Sequence, residues 1–345
     1  MLFTKFALMG QNLSKYDRDW PISFDTDPNS DGAKAVENYL VENFINPASG
    51  NSSVTEKLSA KRARFESNGL SREIDGEYRE GIANFGDISV SGEWSLAKGS
   101  DADRRILYIH GGAFTVGSAV SHRAITGNLS KKTGCAVFAP NYRLMPENSR
   151  LASVEDCQAA YRWILENGPD GPKPIEKLAI VGDSAGGNLT LVMAQWARDN
   201  GVRPADAIVG ISAATDSTYA SPSIKDNFDT DLMLKPLAAP LLKIPRPLLV
   251  WFVWKQLGVR PTDPRVSPLR GDLSGLPPTL LHASAHEMMF DDSARYVAKA
   301  QSQGSDARLQ SWSHLCHVWH MFDTMLPEAH EAIDEIANFI TDQME

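Results

Sequence analysis

Six short apolar runs between Asp87 and Trp312 constrain what this 345-residue chain can fold into. They are Arg105–Ile109, Ala136–Ala139, Lys177–Val181, Ala207–Ser212, Thr279–Ala283 and Arg308–Trp312. Each is too short for a globular helix, and most are rich in β-branched or aromatic residues. Stretches of helical periodicity lie between them. After Ser153, for instance, Val154, Cys157, Tyr161 and Ile164 share one helical face, a serine stands at the expected N-cap and Gly168 follows the end. Strands that alternate with helices call for a parallel sheet, because returning to the same end of a sheet takes a crossover of a dozen or more residues. An α/β fold with a mostly parallel central sheet flanked by helices is expected.

The alternation does not cover the whole chain. Residues 1–84 are polar and turn-rich, with one amphipathic segment in which Val36, Tyr39, Leu40 and Phe44 recur at helical spacing. They read as an N-terminal arm, and residues 85–345 as the main domain. Within that domain the Pro-rich, Trp-containing stretch 217–265 is too long for an ordinary connection, so it is expected to hold its own helices and lie over one end of the sheet as a cap.

Composition removes several classes of function. The net charge of −9, without a dense Lys/Arg run, speaks against nucleic acid as a partner. Lys61–Arg64, a short basic stretch, reads as the solvated face of a helix. Three cysteines without CxxC spacing suggest neither a disulfide framework nor a structural zinc site, which fits a cytoplasmic setting. Met1–Gly10 lacks the long apolar region and cleavage site of an export signal. The most apolar stretch, Ile244–Val259, carries Arg246 and Lys255, and its about eight unbroken apolar residues fall short of the roughly 20 that span a bilayer. It reads as a cap helix or a contact surface, which leaves room for a homodimer, and not as a membrane span.

The chemistry concentrates after the third run. Lys177–Val181 leads into Gly182-Asp183-Ser184-Ala185-Gly186, a G-x-S-x-G pattern, and a helical pattern carrying Leu189, Val192, Met193 and Trp196 leads out. A serine at a sharp strand-to-helix turn is presented for attack on a carbonyl, and small neighbours tolerate the close backbone approach such a turn needs. A phosphate-binding turn would need a P-loop lysine or G-x-G-x-x-G spacing, and neither is present. His110-Gly111-Gly112-Ala113-Phe114 follows the first run directly, so the Gly111 and Gly112 N–H groups, with that of Ala185, form a candidate oxyanion hole. Two motifs in this order point to acyl transfer by Ser184.

A serine nucleophile needs a base and an acid to orient it. Glu287, Asp291 and Asp292 follow the fifth run; the two aspartates precede a helical pattern, where capping is their ordinary role. His314, His317 and His320 crowd the stretch after the sixth run, and position alone does not choose among them. Their spacing is not HExxH, so a metal cluster is disfavoured and no cofactor is expected. His282 and His286 read as structural.

Taken together, Tyr108–Ser118 (YIHGGAFTVGS), Asn141–Asn148 (NYRLMPEN), Val181–Asn188 (VGDSAGGN), Asp263–Leu281, Glu287–Asp292 (EMMFDD) and His317–Phe322 (HVWHMF) closely resemble the bacterial hormone-sensitive-lipase-like family of α/β-hydrolases, mostly carboxylesterases. The likeness runs from about Gly92 to Glu345. It implies the α/β-hydrolase fold with a helical cap, a small-molecule ester as substrate, Ser184 as nucleophile, Glu287 as acid and His317 as base. Many relatives carry Asp at the acid position and a third glycine where Ala113 stands, although an alanine N–H would still be available. Arg143 and Glu147 are expected to pair and hold a loop that Pro146 turns, Asp183 to order the backbone around the serine, and Asp216 to anchor a loop. A receptor without catalysis, an amidase, a lactonase and a lipase on the same scaffold are the alternatives.

Overall fold

The computed structural model describes residues 8–45 and 53–345, so Met1–Ala7 of the stretch read for an export signal lie outside the described residues. Eight strands form one sheet: β1 (Gly76–Phe85), β2 (Ile88–Ala97), β3 (Asp101–Ile109), β4 (Cys135–Pro140), β5 (Lys177–Asp183), β6 (Ala207–Ile211), β7 (Thr279–Ser284) and β8 (Ala307–Trp312). Their spatial order is β1-β2-β4-β3-β5-β6-β7-β8. The contacts β1–β2 and β2–β4 are antiparallel, and the rest, from β4–β3 to β7–β8, are parallel. All six expected runs are strands. Two strands, β1 and β2, are not among them: β1 begins before the boundary expected at residue 84, its sequence, GEYREGIANF, is mostly exposed on this edge of the sheet, and β2, ISVSGEWSLA, breaks its apolar residues with Ser, Gly and Glu, so neither reads as an apolar run.

Successive side chains of a strand point to opposite faces, so two cores form. On β3, Leu107 and Ile109 meet one of them, together with Cys157 and Tyr161 of α4 (Arg150–Glu166), Leu189 and Met193 of α5 (Ser184–Asp199) and Tyr296 of α8 (Phe290–Ser302). Ile106 and Tyr108 meet the other, with Ile125 and Leu129 of α3 (Arg123–Thr133) and Ile333, Ile336 and Ile340 of α9 (Pro327–Met344). The N-cap of α4 is Ser149, whose side chain accepts the Ala152 N–H; the serine expected there, Ser153, sits one turn inside the helix.

The N-terminal arm packs against the far end of the sheet. Phe24 stacks on Trp312 of β8 at 4.0 Å between ring centroids, and Val36 and Leu40 of α1 (Asp31–Leu40) join Trp312, Trp319 and Phe322 in a third cluster. In α2 (Val54–Leu70), Arg62 donates to Glu147 and to the carbonyl oxygens of Thr115 and Met145, while Arg64 donates to Asn43 O. The basic stretch is therefore a brace for the loops beside it and not a solvated face. The stretch 217–265 holds a one-turn helix at Ser223–Asp226, then α6 (Lys235–Leu242) and α7 (Arg246–Leu257), the last two bent by 116°. Among the described residues no single helix is long and apolar enough to cross a membrane.

Register brings the carboxyl ends of the parallel strands to one edge: Ile109 lies beside Gly182, Asp183 beside Ile211 and Ser284 beside Trp312. The crevice beyond such an edge is where open α/β sheets place their ligands. Leu107, fully buried in the middle of β3, holds that edge from below. Leu107→Ala is expected to cost about 2–5 kcal/mol of folding stability, from lost transfer energy and the cavity left behind, measured by urea unfolding.

Candidate active site

Ser184 is the first residue after β5 and the first of α5, with φ of +50°, a left-handed conformation unusual for a residue with a Cβ. Gly186 makes the turn feasible, since a Cβ there would run into the carbonyl oxygens of Ile109 and His110. Asn188, one residue past the glycines, donates to Ala214 O and Val266 O and accepts from Arg150, so the start of α5 is fastened on three sides. The serine itself remains partly exposed.

The loops after β7 and β8 deliver its partners. His317 Nε2 lies 2.9 Å from Ser184 Oγ, and His317 Nδ1 lies 2.7 Å from Glu287 Oε2. With the proton on Nδ1, the ring donates to Glu287 and its Nε2 is free to accept the serine proton. Glu287 is fully buried and also accepts the Ser284 N–H at 3.1 Å. Burial pushes its carboxyl above the ordinary value, although its hydrogen bond to His317 pulls the other way. For His317 burial acts downward, and the hydrogen bond and charge of Glu287 outweigh it, so the imidazole is held above 6.5.

The other histidines separate cleanly from this one. Burial drives His110 down to about 3 and His282 to about 4, and drives His320 well below its usual value; each stays neutral at neutral pH. His110 stacks on Tyr142 at 4.2 Å, and His282 lies 3.2 Å from His320. The His314 and His286 rings meet at a tilt with centroids 4.2 Å apart, and neither lines a cavity that Ser184 lines. Among the described residues no group of three or more His, Cys, Asp or Glu side chains could hold a metal ion.

One expected oxyanion donor is engaged elsewhere. The Gly111 N–H donates to Asp183 Oδ1 at 2.9 Å, so it is not free to meet a substrate oxygen. The same carboxylate oxygen accepts the Tyr108 hydroxyl at 2.6 Å, and His122 Nε2 stands 3.5 Å from its neighbour, Oδ2. Burial raises the Asp183 carboxyl, and His122 and Tyr108 outweigh that to leave it below its ordinary value. Gly112, at φ of +111°, and Ala113, at +51°, turn the chain back past the serine, and both line cavities that Ser184 also lines. The N–H groups of Gly112, Ala113 and Ala185 have no acceptor among the described residues.

Several expected pairings are redistributed. Arg143 forks onto Asp156 at 2.7–3.0 Å, with Glu155 also in reach, while Glu147 binds Arg62; the two members of the expected pair face different elements. Asp216 does anchor its loop, held by Arg270 at 2.8 Å. Asp291 and Asp292 do not cap their own helix: Asp292 accepts the Thr215 and Asp216 N–H groups and the Ser221 hydroxyl, and Asp291 accepts the Ser223 N–H. Asp231 lies with Asp226 and Asp229 in a stretch, DNFDTDLM, that matches no motif, so its role is visible only in the fold. It is fully buried, accepts the N–H groups of Met288 at 2.9 Å and Leu234 at 3.0 Å, and so clasps the acid loop to the start of α6.

A cavity of about 310 Å³ opens beside Ser184, walled mainly by Phe114, Ile224, Leu241, Leu249, Met288 and Met289. A smaller one of about 60 Å³, also lined by Ser184, lies between Phe65, Met233 and Met321. Both are predominantly apolar, the kind of wall that takes hydrocarbon and excludes water.

The strand order, and a serine turn at the end of the fifth strand, define an α/β-hydrolase. A model of the alpha/beta hydrolase fold family matches residues 106–321. An acetyl-hydrolase of Streptomyces hygroscopicus is 34% identical over 260 residues, covering 74% of this chain and 82% of that protein. An esterase of Acinetobacter venetianus is 33% identical over 254 residues, covering 73% and 79%. Among solved structures, an esterase from the bacterial hormone-sensitive lipase family superposes with a TM-score of 0.77 at 30% identity, covering 92% of this chain and 99% of the other. An esterase/lipase from an uncultured bacterium gives 0.76 at 31% identity, covering 91% and 99%. The chain belongs to the bacterial hormone-sensitive-lipase-like family of α/β-hydrolase carboxylesterases.

The negative charges of Glu287 and Asp231 both raise the His317 imidazole. Its pKa, followed by NMR, is expected above 6.5, and Asp231→Asn is expected to lower it while the asparagine oxygen keeps one of the two clasping hydrogen bonds. An unchanged value in that variant would remove Asp231 from the electrostatics of the site.

Proposed function

We propose that this protein is a serine carboxylesterase that hydrolyses short- to medium-chain acyl esters through an acyl-enzyme. The observation that carries this reading is the unbroken relay from Ser184 Oγ to His317 Nε2 and from His317 Nδ1 to Glu287. In the first step His317 takes the serine proton as Oγ attacks the ester carbonyl, and Glu287 holds the ring and stabilises the imidazolium that forms. The carbonyl oxygen becomes negative and is met by the N–H groups of Ala185, Gly112 and, in place of Gly111, Ala113. His317 then returns its proton to the leaving alcohol. Water then attacks the acyl carbonyl as His317 takes its proton; when the ester bond to Ser184 breaks, His317 passes that proton to Oγ, and the free acid leaves.

Substrate size follows from the walls. A cavity of about 310 Å³ takes a short or medium chain and leaves little room for a triglyceride. We assign the N-terminal arm and residues 217–265 to the cap: α6 and α7 supply Leu237, Leu241, Leu242 and Leu249 to the larger cavity, and Phe44 and Phe65 from the arm line the smaller one. The three cysteines are free thiols, which suits the cytoplasm. A receptor that had lost catalysis would have little use for an intact relay, so the hydrolase reading stands above it; amide or lactone substrates remain outcomes of the substrate test.

Ser184→Ala is expected to lower kcat on p-nitrophenyl butyrate by about 10⁴-fold or more with the fold intact. A fluorophosphonate probe should add to the wild type and not to this variant, read by intact mass. Activity is expected to fall with acid. Below its raised pKa, His317 carries protons on both nitrogens and cannot accept the serine's, so the acid limb of kcat/KM should lie above pH 6.5. A chain-length series of p-nitrophenyl esters should peak at short to medium acyl groups; equal rates on olive oil would contradict the cavity argument.

A further inference from the structure

The outer face of the α6–α7 pair combines exposed apolar side chains with an excess of positive charge. Leu248, Trp251, Phe252 and Lys255 follow the i, i+3, i+4, i+7 spacing of one helical face. Leu248, Trp251 and Phe252 are 58%, 48% and 45% exposed, and they are neighbours on a single turn-and-a-half of helix rather than scattered singles. Leu249 and Val250 on the opposite side are buried, so the helix is seated and its outer apolar face is left over.

Charge selects the occupant. From Pro236 to Thr262 the chain carries Lys243, Arg246, Lys255 and Arg260, all exposed, and no Asp or Glu, although the whole protein has a net charge of −9. Arg246 is partly committed to Thr218, whereas Lys243, Lys255 and Arg260 form no ion pair among the described residues. Lys255 lies over the rings of Trp254 at 4.9 Å and Trp251 at 5.9 Å, which places its cation at the edge of the aromatic surface. A second copy would suit such a patch poorly, since a two-fold contact would bring these cations against their own counterparts. An interface of lipid phosphates and upper acyl chains matches both properties: aromatic rings settle at the headgroup level and Lys/Arg side chains meet anionic charge.

We propose that the outer face of α6 and α7 docks on an anionic lipid membrane, with Leu248, Trp251 and Phe252 entering the headgroup region and Lys243, Lys255 and Arg260 meeting lipid phosphates. The helices lie on the surface and do not span it. Their inner residues Leu241, Leu242 and Leu249 wall the cavity beside Ser184, so docking sets that cavity next to esters dissolved in the membrane; this last consequence rests on the esterase reading.

Vesicle co-sedimentation of the full chain tests the proposal without turnover, so its failure would leave the ester chemistry untouched. The protein is expected to sediment with phosphatidylcholine–phosphatidylglycerol vesicles and not with phosphatidylcholine alone, and to be released as salt rises from about 50 to about 500 mM. The double variant Trp251→Ser, Phe252→Ser, and separately Lys255→Glu, should each lower partitioning by about tenfold while p-nitrophenyl butyrate turnover in vesicle-free buffer stays at the wild-type rate, which shows that both variants fold. Failure to bind anionic vesicles would overturn the proposal, as would equal binding to neutral ones. A dimer in sedimentation velocity that the double variant dissociates would overturn it too, by giving the face to a second copy.

Discussion

Asp183 carries a negative charge out of water at the junction of the two strands that matter most, and the arrangement around Ser184 is organised by how that charge is satisfied. Its Oδ1 accepts from Gly111 on one side and Tyr108 on another, with His122 beside Oδ2. A buried carboxylate left short of donors would be costly, so the glycine loop after β3 is held in a conformation that keeps its first N–H turned inward. The next two residues, Gly112 and Ala113, then take positive φ and line cavities that Ser184 also lines. The serine, in its own left-handed conformation, is held by backbone geometry that only the small residues nearby permit.

This explains why one oxyanion assignment from sequence needed revision. A pair of glycines after a strand signals unshielded backbone, and that signal is real. It cannot reveal that Asp183, seventy-odd residues later, takes the first of the N–H groups. The acid and the base were a different problem: three acids and three histidines stood in reach, and only the family likeness separated them. The structure brings Glu287 and His317 together with Ser184 because they occupy the loops beyond β7 and β8, which the parallel register places along one edge.

Legibility followed the physics of burial. Strands covered on both faces, such as Lys177–Val181, announce themselves as apolar runs. The edge strand Gly76–Phe85 does not, since most of its side chains face water, and its identity comes from pairing with β2. Pairings between distant charges were the least legible. Arg143 and Glu147 are four residues apart in sequence, yet one is taken by Asp156 and the other by Arg62 of the N-terminal arm. Asp231 gave no warning, because a single carboxylate acquires meaning only from the two loops it joins.

The clasp made by Asp231 also joins two parts of the molecule built from different elements. Ser184, Glu287 and His317 stand at strand ends whose positions are fixed by the sheet, whereas much of the larger cavity's wall comes from α6 and α7, which among the described residues form no hydrogen bond to those three. The two are tied together at Asp231, which accepts from Met288 and Leu234, and at Ser223 and Asn227, which bond the backbone of the loop after β7. Substitutions at Leu241 or Leu249 therefore alter the cavity wall at a distance from the hydrogen bonds that join Ser184, His317 and Glu287, so the shape of what is admitted and the geometry at the serine are separable in this fold.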